Sequence, residues 1–225
     1  MGGVVNCRDS SGNGYHGSSP TNITYVRDDM ATEQAASFEF DEGYFSIGDV
    51  AALELTTAYS VEFWIKKNGV PAFTQYLVSK YNHSTGDGWR VTLGTNGTIG
   101  FRHTVPTTFT AAWAISSAAV VTDNLPHHVV CSWVGNTEAT GVRIYVDGVL
   151  STSTAATTAT LATGPSAGAF VGAAHNSPPE NYFSGRLADV AVYDSYFPIE
   201  DVLEHYEAGL WTAILLISSG LKAST

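Results

Sequence analysis

His127-His128-Val129-Val130-Cys131-Ser132-Trp133-Val134, followed by Gly141-Val142-Arg143-Ile144-Tyr145-Val146-Asp147-Gly148-Val149-Leu150, decides the fold. In the second run Val142, Ile144 and Val146 alternate with Arg143, Tyr145 and Asp147. This is the period-2 pattern of a strand with one face on a core. Asp147-Gly148 supplies the two positive-φ positions of a tight type I′ turn, and a return strand starts at Val149. The first run is rich in β-branched and aromatic residues and reads as another strand. Consecutive antiparallel strands here set an all-β expectation for the whole chain.

Working outward, Tyr59-Ser60-Val61-Glu62-Phe63-Trp64-Ile65-Lys66 alternates in the same way, with Val61, Phe63 and Ile65 on one face. Trp89 to Leu93 and Thr98 to His103 read as a hairpin around Gly94-Thr95-Asn96-Gly97. Strands are also expected at 37–40, 44–47, 77–80, 169–172 and 187–193, with Asp41-Glu42-Gly43 as a turn. Asp9 to Gly17 is a dense turn cluster. The stretch 105–121 reads as a long loop plus one strand, and 152–167 as strand edge and loop. The one helix expected starts at Pro198, with acids in its first turn, a stripe of Ile199, Val202, Leu203 and Tyr206, and Gly209 as its stop.

Composition narrows the partners. The chain has 225 residues, 44% of them hydrophobic and only 14% charged, with a formal charge of −11. Ten Lys and Arg residues do not make the basic patch that phosphate binding needs, so nucleic acid and anionic membrane surfaces are excluded as expected partners. The N-terminus, Met1 to Asn6, shows neither the basic nor the apolar region of an export signal. No run reaches the ~20 apolar residues that span a bilayer. Cys7 and Cys131 are too few for a disulfide framework, and the expectation is two free thiols.

Several motifs in order now resemble one family. His127-His128-Val129-Val130 through Val142-Arg143-Ile144-Tyr145-Val146-Asp147-Gly148 is similar to the central hairpin of laminin-G-like, concanavalin A-like jelly rolls, the branch that also holds pentraxins. Asp9-Ser10-Ser11-Gly12-Asn13-Gly14 resembles that branch's opening turn. Phe38 to Phe45, Tyr59 to Ile65, and Phe183 to Tyr193 with the following helix resemble its other strands. The resemblance runs over roughly residues 6–210. It departs at Leu125-Pro126, where the family has Trp, and at Glu42, which lengthens the Asp-Gly turn. It implies an all-β, two-sheet antiparallel jelly-roll sandwich with one short C-terminal helix. Residues 1–210 would form the sandwich and 211–225 an apolar C-terminal tail.

Related glucanases carry three acids on one strand. Glu39-Phe40-Asp41-Glu42-Gly43-Tyr44 has the first two in Glu39 and Asp41 but Gly43 and Tyr44 at the two positions where the third would stand, so no enzyme activity and no catalytic residue is expected. His127 and His128 are adjacent on a strand and point to opposite faces, which makes them scaffold and not a ligand pair. The resemblance implies a Ca²⁺ site, with oxygens from Asp9, Asn13, Asp41 and Asp189. Glycan contacts are expected from rim aromatics and amides: Trp89, Trp113, Tyr81, His83, Asn176 and Asn181. The tail residues Trp211, Ile214, Leu215, Leu216 and Ile217 would be an aggregation hazard if left exposed. They either return as a strand on their own sandwich or bury against another subunit.

The leading expectation joins a fold typical of extracellular binding to a chain without an export signal. It is a non-enzymatic structural or adhesive protein of a virus particle: a phage capsid decoration, head-fibre or tail-fibre component, with copies of itself or other virion proteins as partners. The alternative is a Ca²⁺-dependent carbohydrate-binding module of a secreted bacterial protein.

Overall fold

The computed structural model describes residues 7–26, 37–82, 84–104, 112–116, 121–136, 138–157, 167–176 and 179–220, with side chains of the last helix described through Leu210. Thirteen strands, two single 3-10 turns and one helix make up these residues. In chain order they are β1 (Ser18–Val26), β2 (Ser37–Gly48), β3 (Tyr59–Asn68), β4 (Gln75–Asn82), β5 (Asp87–Leu93), β6 (Ile99–Thr104), β7 (Ala112–Ser116), β8 (Asp123–Trp133), β9 (Val142–Val146), β10 (Val149–Leu150), β11 (Thr152–Thr157), β12 (Ala169–Val171), β13 (Phe183–Tyr193) and α1 (Ile199–Gly220).

The strands pair in the order β10-β9-β8-β3-β13-β2-β12-β4-β5-β6-β7-β11, with β1 alongside β2 and every named pair antiparallel. The path folds into two layers because β2 changes partners midway. Its residues 38–43 pair with β13, and its residues 45–48 pair with β12. The two short strands expected around an Asp41-Glu42-Gly43 turn are therefore one strand. Glu42 takes φ +52 and shifts the register without reversing the chain, as a bulge does. Gly43 lets β1 lie close, because a Cβ there would fall 2.3 Å from the Asn22 carbonyl.

Both layers give one face to a shared core. Val61, Phe63 and Ile65 of β3, Val129, Cys131 and Trp133 of β8, and Val142 and Ile144 of β9 come from one layer. Trp89, Val91 and Leu93 of β5, Ile99 and Phe101 of β6, and Ala114 of β7 come from the other. The period-2 reading thus holds on every strand that carries this core. Asp147 and Gly148 take φ +52 and +74, the type I′ turn expected. Both cysteines are buried and free; burial pushes the Cys131 thiol well above its ordinary value.

The outer face of the β3–β8–β9 layer is closed by α1. Its start is fixed by the Phe197 N–H, which donates to the Ser60 and Ser132 hydroxyls at 3.0 Å each. Val202 and Phe197 pack on Val130 and Tyr145, and Tyr206 and Leu210 pack on Trp64 and Ala188. Here the sequence expectation needs correction: Gly209 does not stop the helix, which runs on to Gly220. A Cβ at Gly209 would lie 2.5 Å from Trp64 Cζ2, so the glycine serves close approach to the indole. The segment carrying Trp211, Ile214, Leu215, Leu216 and Ile217 is accordingly helix and not a returning strand; its side chains lie outside the described residues. Among the described residues no helix is long and apolar enough to cross a membrane.

Candidate functional site

The hairpin of β5 and β6 pairs Arg90 directly with Arg102, and β7 places Trp113 directly opposite Arg102. Their strand neighbours Val91, Phe101 and Ala114 fill the core, so Arg90, Arg102 and Trp113 all leave the layer on its outer side. Directly opposite residues in an antiparallel pair have Cβ atoms about 5 Å apart. The result is a short ladder of two guanidiniums and an indole across three strands. Arg102 is exposed and Trp113 half-buried.

β4 completes one side. A register shift at Leu77 puts Tyr76 opposite Thr92 and leaves Ser79 opposite Arg90. Tyr76 and Tyr81 therefore flank Arg90 diagonally. The Arg90 guanidinium lies 3.9 Å from the centre of the Tyr81 ring, and its Nη1–H donates to Thr104 Oγ1 at 3.3 Å. A cation over an aromatic face is held by the ring quadrupole. Burial lowers the Arg90 pKa from its ordinary value, and Arg102 pushes it the same way. Burial likewise raises the Tyr76 phenol, while both guanidiniums pull it back. Both arginines thus act on the Tyr76 hydroxyl.

Residues 172–176 and 179–183 run beside β4, and Ala174 packs on Tyr76 and Tyr81. The Tyr76 N–H donates to the Asn181 carbonyl at 2.9 Å, and the Gly172 N–H donates to the Leu77 carbonyl at 2.9 Å. Asn181 sits at φ +56, and its Nδ2 donates to the Thr74 carbonyl at 3.1 Å. Tyr182 stacks on Tyr44, and Tyr44 and His175 each meet the Phe170 ring at a tilt.

The expected glycan residues divide. Tyr81 is buried beneath Arg90 near the end of β4, Asn181 is held at the start of that strand by Tyr76 and Thr74, and Asn176 bonds to Ala174, so these three are not gathered at one point. Trp89 is a correction: it is fully buried, and its indole N–H donates to the Leu53 carbonyl at 2.9 Å, so its ring is out of reach of any ligand. His83 lies outside the described residues. Arg90 and Arg102 were missed. The signal was present, because the Gly94–Gly97 turn fixes Leu93 opposite Ile99 and hence Arg90 opposite Arg102.

The expected Ca²⁺ donors are not brought together. Asp9 organises its own turn, accepting from the Ser11 N–H at 2.8 Å, the Ser11 hydroxyl at 2.9 Å and the Tyr15 N–H at 3.0 Å. These bonds hold its carboxyl at about 2. Asn13 bonds to Ser11 in the same turn. Asp41 pairs with Ser184 on β13, and Asp189 lies five residues further along that strand, roughly 16 Å away at strand rise. Among the described residues no group of three or more His, Cys, Asp or Glu is placed so that it could hold a metal ion. Asp41 instead lines a polar cleft of about 670 Å³ with Glu39, Lys66, Lys67 and Arg186. Arg186 meets Glu39 there at 3.5 Å.

The two histidines are scaffold, on opposite faces as expected. His127 donates to Asp147 at 2.7 Å and to Asp123 at 2.9 Å. His128 Nε2–H donates to Glu62 at 2.7 Å under α1.

No curated protein matches this chain in sequence. Among solved structures it is similar to the receptor-binding domain of a botulinum neurotoxin C/D mosaic serotype, at 14% identity and a TM-score of 0.63, covering 89% of this chain and 48% of that one. The chain thus spans about half the length of that domain. It is similar to domain 4 of AbnA, an extracellular arabinanase of Geobacillus stearothermophilus solved with arabinotriose (17% identity, TM-score 0.61, 88% and 92% covered). It is also similar to the CBM40 of a Ruminococcus gnavus IT-sialidase bound to alpha2,3 sialyllactose (10% identity, TM-score 0.56, 84% and 98% covered). At such identities these likenesses show the fold alone. The model of one family matches residues 40–202, from the strand that joins the two layers to the helix that closes them, and by it this chain belongs to the laminin-G branch of the concanavalin A-like lectin/glucanases superfamily.

Proposed function

We propose that the chain is a non-enzymatic, lectin-like glycan-binding module. Its binding surface is the outer face of β5, β6 and β7. The observation that carries this is the Arg90–Arg102–Trp113 ladder: a half-buried indole beside donor groups that already leave the sheet on one side. An aromatic face for the apolar side of a sugar ring, next to a few fixed polar groups, is what a saccharide site requires. Two of the similar structures were solved with saccharides, which supports the class. The acids on the cleft of the other layer, Glu39 and Asp41, stand among three cations and are not proposed as catalytic. A glycan array with the wild type and Trp113→Ala, each with and without chelator, tests the reading. Binding that Trp113→Ala abolishes supports it, and loss on chelation would add a Ca²⁺ requirement. Binding that survives Trp113→Ala overturns the location.

A second reading concerns setting. The apolar run from Trp211 to Ile217, on the second half of α1, favours an assembled state in which copies of this chain or other virion proteins cover it. We propose display on a virus particle as that setting, with secretion as the rival. Sizing by light scattering of the wild type and of a Leu215→Ser/Leu216→Ser variant tests assembly: a monomer in both cases counts against it.

A further inference from the structure

We propose that the glycan this face takes is an acidic one, with a carboxylate or sulfate group held between Arg90 and Arg102 and the neighbouring sugar ring on Trp113. This rests on the glycan-binding reading above and narrows it to a chemical class.

The argument begins with a cost. Like charges directly opposite on paired strands are destabilising, and Arg90 and Arg102 are such a pair. Among the described residues neither is in an ion pair. Arg90 spends its contacts on the Tyr81 ring and the Thr104 hydroxyl, which orient its guanidinium without neutralising it. Arg102 is exposed on the same side. The chain has only ten Lys and Arg residues against 21 Asp and Glu. Placing two of the ten opposite each other on one face concentrates positive charge there in a molecule that is otherwise acidic. An anion seated between them would remove the repulsion and gain charge-assisted bonds. The planar guanidinium fork matches carboxylate and sulfate oxygens better than an ammonium does.

The net charge of −11 sharpens the point. It repels polyanions at long range, so an acidic polymer that binds must do so through a local site. Trp113, one strand beyond Arg102, gives the adjoining ring a surface to lie on. Tyr76 and Tyr81 are buried with Ala174 packed against them, and the Tyr81 ring holds Arg90, so neither is placed to touch ligand.

The test uses the full chain with three polymers: polygalacturonate for carboxylates, dextran sulfate for sulfates, and neutral dextran. Affinities are read by calorimetry at low and high salt. The expected result is binding to one acidic polymer about tenfold or more tighter than to dextran, weakened by salt. Which polymer binds names the acidic group. Arg102→Gln, an exposed substitution that also relieves the repulsion from Arg90, should abolish the preference without lowering the melting temperature, and Arg102→Lys should restore part of it. Trp113→Ala should weaken all binding. If neutral saccharides on the array bind this face as tightly as acidic ones, or if Arg102→Gln keeps the preference, the acidic class is wrong and the lectin reading stands. If no saccharide of either charge binds, both fail.

Discussion

Replacing Glu62 by Ala should cost about 3–5 kcal/mol of stability, more than any other polar substitution on the surface that α1 covers. Glu62 points out of β3 beneath the helix, with only 9% of its side chain exposed. Three donors from three elements meet on its carboxylate. His128 Nε2–H of β8 lies at 2.7 Å, the Tyr193 hydroxyl of β13 at 2.9 Å, and His205 Nδ1–H of α1 at 3.0 Å from both oxygens. Truncation leaves His128, which is 1% exposed, and Tyr193 without their acceptor, and each stranded buried donor costs about 1–3 kcal/mol. It also releases the polar tie between α1 and the sheet. For a chain of this size about 1 kcal/mol moves the midpoint by roughly 2–4 °C, so a fall of roughly 6–20 °C is expected. The acid limb should change too. Burial alone would raise the Glu62 carboxyl, but the bonds from His128 and His205 outweigh it and leave it below its ordinary 4.5. A depressed carboxyl gives stability that is present above its unfolded value and lost as pH falls through the folded one. Part of the wild type's loss below pH 4.5 should therefore vanish in the variant. Urea unfolding across pH measures both, with His205→Ala, whose side chain is 37% exposed, as the milder companion at about 1 kcal/mol. A Glu62→Ala loss under about 1 kcal/mol would show that water replaces these bonds freely, and the reasoning would fail.

Three further outcomes are expected. His127 is held at about 9 by the Asp147 and Asp123 carboxylates, so its contribution is complete below pH 6.5 and is lost as pH rises toward 9; Asp147→Asn should remove about 1–2 kcal/mol at pH 6, after screening of this partly exposed pair, and little at pH 10, read by chemical unfolding at both. Gly209→Ala should destabilise by about 1–3 kcal/mol although alanine is the better helix former, because its Cβ would meet Trp64; a thermal melt that rises instead would show the helix shifting freely. Lys80, fully buried, donates to Asp49 at 2.6 Å and to the Ala167 carbonyl at 2.7 Å; Lys80→Met should cost about 1–3 kcal/mol, checked by calorimetry, since it strands the carbonyl while Asp49 keeps its water.

The inner faces of the strands were legible because burial imposes a period that survives in the residues themselves. Val61, Phe63 and Ile65 against Glu62 and Lys66 need no tertiary information. What the sequence obscured lies where one residue answers to two demands. Gly209 reads as a helix stop because free glycine ends helices; the indole of Trp64 is the reason it is there, and that neighbour is 145 residues away in the chain. Glu42 reads as part of a turn because turns and bulges draw on the same backbone conformations; only the continued pairing of β2 with β12 separates them. Trp89 reads as a rim platform until its parity with Val91 and Leu93 is enforced, which places it inside.

The outer face follows a different logic. A ligand surface has no period of its own, since it is the complement of the core's period read across strands and not along one. Arg90 and Arg102 are unremarkable within their own strands. They become a pair only when the hairpin register is applied, and Trp113 joins them only when β7 is paired as well. The Leu77 register shift, which gives Arg90 its two flanking tyrosines, has no local signature at all. The core can therefore be read one strand at a time, but a site on a sheet requires the pairing first. The match over residues 40–202 assigns this chain to the concanavalin A-like lectin/glucanases superfamily; the chemistry of the proposed ligand has to be argued from the few side chains that the register sets facing one another.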